Sequence, residues 1–466
     1  MLRKCYNLKI FYDRMPIMEK DLTTGNPLKL LIIFSVPLLI GNLFQQFYNI
    51  ADIVIVGRTL GIEALAAVGA TAPLFFLIMF MIVGLTNGFA VITGQRFGAK
   101  DYINMRRSVT VSTVLSSIFT VLFAGVCIIF MPIILKLMNI PQNIYDDAYW
   151  YIQIVVFGLI TGNLYNLLAN ILRALGDSKT PLYCLIISSL LNIILALLFI
   201  LKFHWGVPGS AVALIVSQAI SAILCIIYIK YKFPLLHLKK SDWVFSFDEW
   251  KKFAKDHLRI GIPMALQFSV IGIGILIIQS VCNSFGSDVI ASFTAALRIE
   301  QIATLPMVTF GVAIAAFVAQ NYGANKINRV RISVKKASTI NFHLSIVMAF
   351  VMHFWGSDIV ALFLGNPDEK IITVAQQYLF ISSLFYFFLA QIFIYRNALQ
   401  GLGRPKIPLI ACVGELAVRT FAAIYLADKF SYFGIFWSGP IAWILASTVT
   451  ATGYYFVIRN LKSKLN

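Results

Sequence analysis

Apolar residues in this chain come in runs of about twenty or more, divided by short polar segments. Six runs fall at roughly 28–54, 67–92, 108–135, 149–172, 180–201 and 208–229. Six more fall at roughly 260–282, 290–318, 337–364, 373–399, 407–427 and 434–458. Inside lipid every backbone N–H and C=O must pair within its own segment, so runs of this length predict membrane-spanning helices. A β-barrel would show short alternating segments instead, and none is seen. The expected fold class is an all-α membrane protein with twelve transmembrane helices in two pseudo-symmetric six-helix lobes.

The two sets of six are related by sequence. ITGQRFGAKD at 92–101 recurs as FVAQNYGANK at 317–326, which pairs Gln95 with Gln320 and Gly98 with Gly323. ILRALGDSKTP at 171–181 recurs as ALQGLGRPKIP at 398–408, and Pro37 in the first span of one half matches Pro263 in the other. The offsets of 225, 227 and 226 share one period, which reads as a duplication rather than as a chance likeness of loops. Each half holds an even number of spans, so the halves are expected to be parallel repeats about an axis along the membrane normal. The predicted organisation is a lobe over 19–229, a basic linker with an amphipathic interfacial helix over 230–259, and a second lobe over 260–466. Residues 1–18 read as an extension without a role in the fold, and no cleavable leader is expected.

Composition agrees with this picture: 59% of residues are hydrophobic, 12% are charged and the mean hydropathy is +0.83. A formal net charge of +18 invites a nucleic-acid reading, but its distribution removes the need for one. Of the 38 Lys and Arg residues, 30 lie at the two ends and in alternate loops, and only five in the other loops. That asymmetry predicts a multi-pass protein of the cell membrane with both termini in the cytoplasm. Cys127, Cys184, Cys225, Cys282 and Cys412 lie within spans without a CxxC spacing and read as packing residues. No HExxH, Walker, GxGxxG or GxSxG constellation lies in a suitable context, and His343 and His353 lack a companion acid at ligand spacing. An enzyme is not expected, nor a cofactor.

Polar groups within the spans carry the functional reading, since a carboxylate at mid-bilayer costs about 2.5–3.5 kcal/mol on insertion scales. Asn42, Gln45, Asn49 and Asp52 are spaced three, four and three apart and share one helical face. Such a stripe should face a water-accessible cavity; the plainer reading is that Asp52 hydrates at an outer helix end beside Arg58 and Glu63. Asn192 is the strongly polar side chain of its apolar span, and interhelical hydrogen bonding is the plain account of it. Glu415 and Arg419 are four apart in the favourable order, either a neutral structural strut or a pair that takes part in gating or substrate charge. Arg298 and Glu300 point to different faces and need separate partners, and Arg396 is expected to snorkel to the cytoplasmic side.

NPLKLLIIFSVPLLIGNLFQQFYNIADIVIVGRTLG at 26–61 resembles the opening of the multidrug and toxic compound extrusion (MATE) family. ITGQRFGAK, VAQNYGAN, LRALGDSKTP, RIEQIATLP and LQGLGRPKIP are similar to that family's landmarks in the same order, and the resemblance covers about residues 19–460. It implies a V-shaped pair of lobes that alternate access and export organic cations in exchange for sodium ions or protons. It further implies a cation-coupling site in the first lobe at Asp52 and Asn192, with Asn166 as the candidate for a third member. Two positions depart from the pattern. Ala196 stands where a carboxylate is often found, and Leu214 where a Thr is common, which leaves a poorer cage for Na+ near Asp52. Proton coupling through Asp52 is therefore the preferred reading, with no certain metal site. The expected partners are small-molecule cationic substrates and membrane lipids, with no nucleic acid, and the expected state is a monomer. The alternative is an exporter or flippase of a lipid-linked or other amphipathic metabolite on the same scaffold, which would predict additional spans and more basic residues in the central cavity.

Overall fold

The computed structural model describes residues 21–244, 246–365 and 368–463, so the extension proposed for residues 1–18 lies outside the described residues. Among the described residues the regular structure is helical, with no strand. The first half comprises α1 (Pro27–Leu60), α2 (Ile62–Gly98), α3 (Tyr102–Leu137), α4 (Tyr145–Phe157), α5 (Leu159–Ala174), α6 (Lys179–Leu197) and α7 (Gly206–Lys232). The second comprises α8 (Phe247–Cys282), α9 (Ser287–Gly323), α10 (Ile327–Leu364), α11 (Glu369–Leu384), α12 (Tyr386–Gly401), α13 (Lys406–Phe430) and α14 (Tyr432–Ser463). Ten of these helices are long and apolar enough to cross a membrane, and the remaining four form two bent pairs, which gives twelve spans when each bent pair is one span.

The bends were not foreseen. Residues 142–157 meet α5 at 47°, and α11 meets α12 at 55°. They break at Gly158 and Phe385, which are 227 residues apart, so the same span is broken at the same place in each half. Turns repeat as well. Positive φ occurs at Gly61 and Gly286 (91° and 90°), at Lys100 and Asn325 (57° and 58°), and at Gly176 and Gly403 (88° and 70°). A left-handed residue just past a helix end lets the chain reverse while loop N–H groups reach the last orphan carbonyls. Asp101 N–H bonding to Arg96 O and Lys326 N–H to Asn321 O show this in both halves.

Local signals explain the helix starts. Asn26 accepts from Leu28 N–H at 3.0 Å, with Pro27 at the first helical position of α1. Ser246 and Glu249 form a reciprocal capping box at the start of α8. That helix continues unbroken to Cys282, so the α-helix expected in the linker is the first turns of a span, and the linker's own elements are two short 3-10 helices, Pro234–Leu236 and Lys240–Asp242. The linker is pinned to the first lobe by a buried ion pair, Arg106 Nε donating to Asp242 Oδ2 at 2.9 Å.

Large apolar side chains fill each lobe: Leu85, Phe89, Met105 and Leu172 in the first, and Phe293, Met307, Tyr386 and Phe436 in the second. Others, such as Ile129, Phe421 and Phe456, stay exposed on the outer faces, as lipid contact requires. The lobes meet mainly through α2 against α8 and α9. Gly88 backs onto Gly261, where a Cβ would sit 2.6 Å from its Cα, and Gly84 backs onto Ala265 at 2.8 Å. Small residues permit this approach, and close backbone contact is what holds helices together in lipid. The cross-lobe contacts run from Leu77 and Gly272, partway along their helices, to the end that carries the basic loops.

Candidate functional site

The polar stripe on α1 divides among three environments. Asn42 Nδ2 donates to Thr309 Oγ1 at 3.1 Å, a bond from the first lobe to α9 of the second. Gln45 is exposed, and Asn49 and Asp52 are half-buried. Asp52 lies against α7, where Ser210 Oγ donates to its Oδ1 at 3.5 Å. Tyr48 and Tyr151 stand close enough to feel its charge. Among the described residues no Lys, Arg or His pairs with Asp52. A carboxylate so placed has a hydroxyl and two phenols around it and, among the described residues, no basic partner.

Asn192 on α6 is 1% exposed, and neither atom of its amide has a hydrogen-bond partner among the described residues. A buried amide left so costs the desolvation of each group, about 1–3 kcal/mol apiece, unless water or an ion satisfies it. Asn166 turns its Nδ2 back to Gly162 O on its own helix at 2.8 Å. Ala196 is fully buried and Leu214 belongs to the apolar cluster around Val207 and Ala211, so neither supplies an oxygen to a cation. Two other asparagines on α5 are more deeply engaged. Asn163 donates to Ser116 Oγ at 3.2 Å, while Asn170 donates to Thr86 Oγ1 at 3.2 Å and accepts from Arg173 at 3.1 Å.

The second lobe gathers its charges differently. Glu415 accepts from Arg419 Nη2 at 2.6 Å, as the four-residue spacing predicts, and from Arg396 Nη2 at 3.1 Å. Arg396 is thus a buried partner at 8% exposure and does not snorkel; α12 follows the 55° bend and carries it inward toward α13. Glu300 on α9 accepts from the Tyr378 hydroxyl at 2.7 Å, with Arg419 near enough to act on both. Sequence reasoning missed Ser210, Tyr151, Tyr378 and the Arg396 pairing. Hydroxyls are common in apolar spans, and only the fold brings Ser210 to a carboxylate 158 positions earlier.

A small cavity of 90 Å³ lies between the lobes, lined in part by Asn87, Asn170, Arg173, Asn397 and Gln400. Among the described residues no three His, Cys, Asp or Glu side chains cluster as metal ligands.

The family model described as MatE matches residues 37–198 and 263–426, one match in each half. The chain is 31% identical over 384 residues to "Probable multidrug resistance protein YpnP" of Bacillus subtilis, covering 82% of this chain and 84% of that protein. It is 28% identical over 431 residues to "Probable multidrug resistance protein YoeA" of the same organism, covering 91% and 92%. Its fold superposes with a TM-score of 0.87 on a solved structure described as the outward-facing conformation of a multidrug resistance MATE family transporter of the MOP superfamily. That structure is 24% identical, with 95% of this chain and 98% of the other covered.

Proposed function

The chain belongs to the MatE family of multidrug efflux transporters, and from that premise we propose that it is a secondary active antiporter that expels lipophilic organic cations in exchange for protons or sodium ions. It is a multi-pass membrane transporter and not an enzyme. The basic-loop end, where the lobes touch, is assigned to the cytoplasm along with both termini. Closure at that end makes this the outward-facing state of a monomer that alternates access as the lobes rock.

Asp52 is the coupling group in this reading, and the observation that carries it is its solitude: a half-buried carboxyl in a membrane helix with a hydroxyl for a partner and, among the described residues, no basic side chain paired with it. An unpaired carboxylate within the bilayer is costly, so the site holds a proton, a metal cation or cationic cargo whenever it is shut away from water. Proton and cargo then exclude one another, which is antiport. Asn192 supports the same reading as a buried amide whose oxygen is unused. The lack of oxygens at Ala196 and Leu214 favours the proton over sodium. Each pH unit of gradient supplies about 1.4 kcal/mol, and each charge moved through 100 mV about 2.3 kcal/mol, enough to drive modest drug gradients.

Inverted membrane vesicles loaded with a fluorescent cation, under imposed pH or sodium gradients, test this directly. Wild type should move the cation in the direction opposite to the flow of the coupling ion, and Asp52→Asn should fall to background. Gradient-driven movement that survives in Asp52→Asn removes Asp52 from the mechanism.

A further inference from the structure

We propose that Gln95 and Gln320 are the two halves of a reciprocal lock that holds the basic-loop end shut, and that both must let go together for that end to open. The inference rests on the alternating-access reading above.

The two glutamines occupy equivalent places in the repeat, one turn before the ends of α2 and α9. Each reaches into the opposite lobe. Gln95 Nε2 donates to Gly401 O at 2.8 Å, and Gln320 Nε2 donates to Ala174 O at 2.8 Å. The acceptors are equivalent as well: Ala174 and Gly401 are the final residues of α5 and α12 and lie 227 positions apart. A carbonyl at a helix C-terminus has no partner within its helix and sits at the negative end of the helix dipole. An amide donor from the facing lobe therefore meets a need that the folded helix itself creates, and does so twice by symmetry.

The glycines three residues on complete the device. Gly98 lies against the Gln320 carbonyl and Gly323 against the Gln95 carbonyl, with no room for a Cβ at either. Each helix end thus presents a bare backbone to the very residue that crosses from the other side. The Gln-x-x-Gly spacing found in both halves is what a lock of this shape needs: a long amide donor and, one turn later, a surface that lets the donor's own backbone approach. Neutral amides suit the task. A hydrogen bond between neutral groups is modest in net terms because water replaces it on opening, whereas a buried ion pair would leave uncompensated charge behind.

The halves are not identical. Gln320 also accepts from Leu22 N–H through Oε1 at 3.0 Å, and Asn321, Lys326 and Arg329 bond to carbonyls of residues 22–25. The segment before α1 is thereby fastened over one side of the lock. Gln320→Ala should consequently act more strongly than Gln95→Ala.

Spin labels at Ile103→Cys and Asn328→Cys, in a background with the native cysteines replaced, report the distance across this end. Both positions are exposed and lie on opposite lobes. Wild type should give a dominant short distance. On the scale of a single neutral hydrogen bond, Gln95→Ala should raise the open-to-closed ratio about five-fold, Gln320→Ala by more than that, and the pair by more than about twenty-five-fold. Thermal unfolding and a single monodisperse peak establish that the variants are folded. An unchanged distance distribution in the folded double variant overturns the lock. A large shift from one substitution with none from the other overturns its reciprocity. The distances report on the lock whether or not cation export is found, so failure of the transport reading remains distinguishable.

Discussion

The two lobes share an architecture but treat their buried charges in opposite ways. In the first, Asp52 is held by one long hydroxyl contact and has no basic partner among the described residues. In the second, Glu415 is gripped by two guanidinium groups and Glu300 by a tyrosine hydroxyl, with Arg419 close to both acids. Three charges in the second lobe, Glu415 with Arg396 and Arg419, are paired at short range, and Glu300 leans on a phenol with Arg419 near enough to act on it. A carboxylate gripped by two guanidinium groups, as Glu415 is, has little left to offer a travelling ion, whereas one without a basic partner must find a partner in each conformation. The difference teaches where to look for coupling: the site that is least complete is the one that can change its occupant.

The sharpest way to break this comparison is to open the second lobe's cluster. Glu415→Ala leaves Arg396 buried without its counter-charge and strips Arg419 of its ion-pair partner, which should destabilise the protein by about 3–5 kcal/mol. Thermal unfolding in detergent reads that loss, and transport per folded molecule should stay near wild type. Asp52→Asn should do the reverse, sparing stability and removing transport. If Glu415→Ala instead stops transport in a protein that melts normally, the second lobe is part of the engine and the contrast between lobes fails.

A smaller effect is expected at Tyr378→Phe. The substitution removes the donor to Oε2 of Glu300, whose other oxygen already lacks a hydrogen-bond partner among the described residues. Loss of a buried hydrogen bond of this kind costs about 1–3 kcal/mol. The same melting measurement, run beside Glu415→Ala, should rank the two, and a larger loss at Tyr378 would make Glu300 rather than Glu415 the centre of the cluster.

Much of the fold was legible because it rests on length and hydropathy, which a single sequence displays in full. Twelve spans and the 226-residue period follow from long apolar runs and from three repeated landmarks. The bends within two spans were hidden, because Gly158 and Phe385 break equivalent helices without sharing a residue type, and an apolar run looks the same straight or bent. Arg396 was hidden in a similar way: its position near a span end suggested snorkelling, but it is buried and bonds to Glu415 on the next helix. Residue pairs on one helix, such as Glu415 and Arg419, were readable from spacing. Pairs between helices, such as Ser210 with Asp52 or Gln95 with Gly401, depend on which helices touch, which no periodicity encodes.

Ser210→Ala should give the smallest change, and it tests how incomplete the first-lobe site is. At 3.5 Å the hydroxyl makes a long, weak contact with Asp52, and its loss removes at most one modest hydrogen bond. A contribution of about 0.5–1 kcal/mol corresponds to a shift of roughly two- to five-fold in the ion concentration that half-saturates transport. The maximal rate should remain, since the carboxyl that carries the ion is untouched. The vesicle assay, titrated across external pH and sodium in turn, measures both quantities and shows which ion's curve moves. Complete loss of transport, matching Asp52→Asn, would mean that Ser210 is itself an indispensable ligand and that the site is more fully built than its geometry suggests. No shift in either curve would mean that Asp52 works without the hydroxyl, and that the carboxyl is more solitary still.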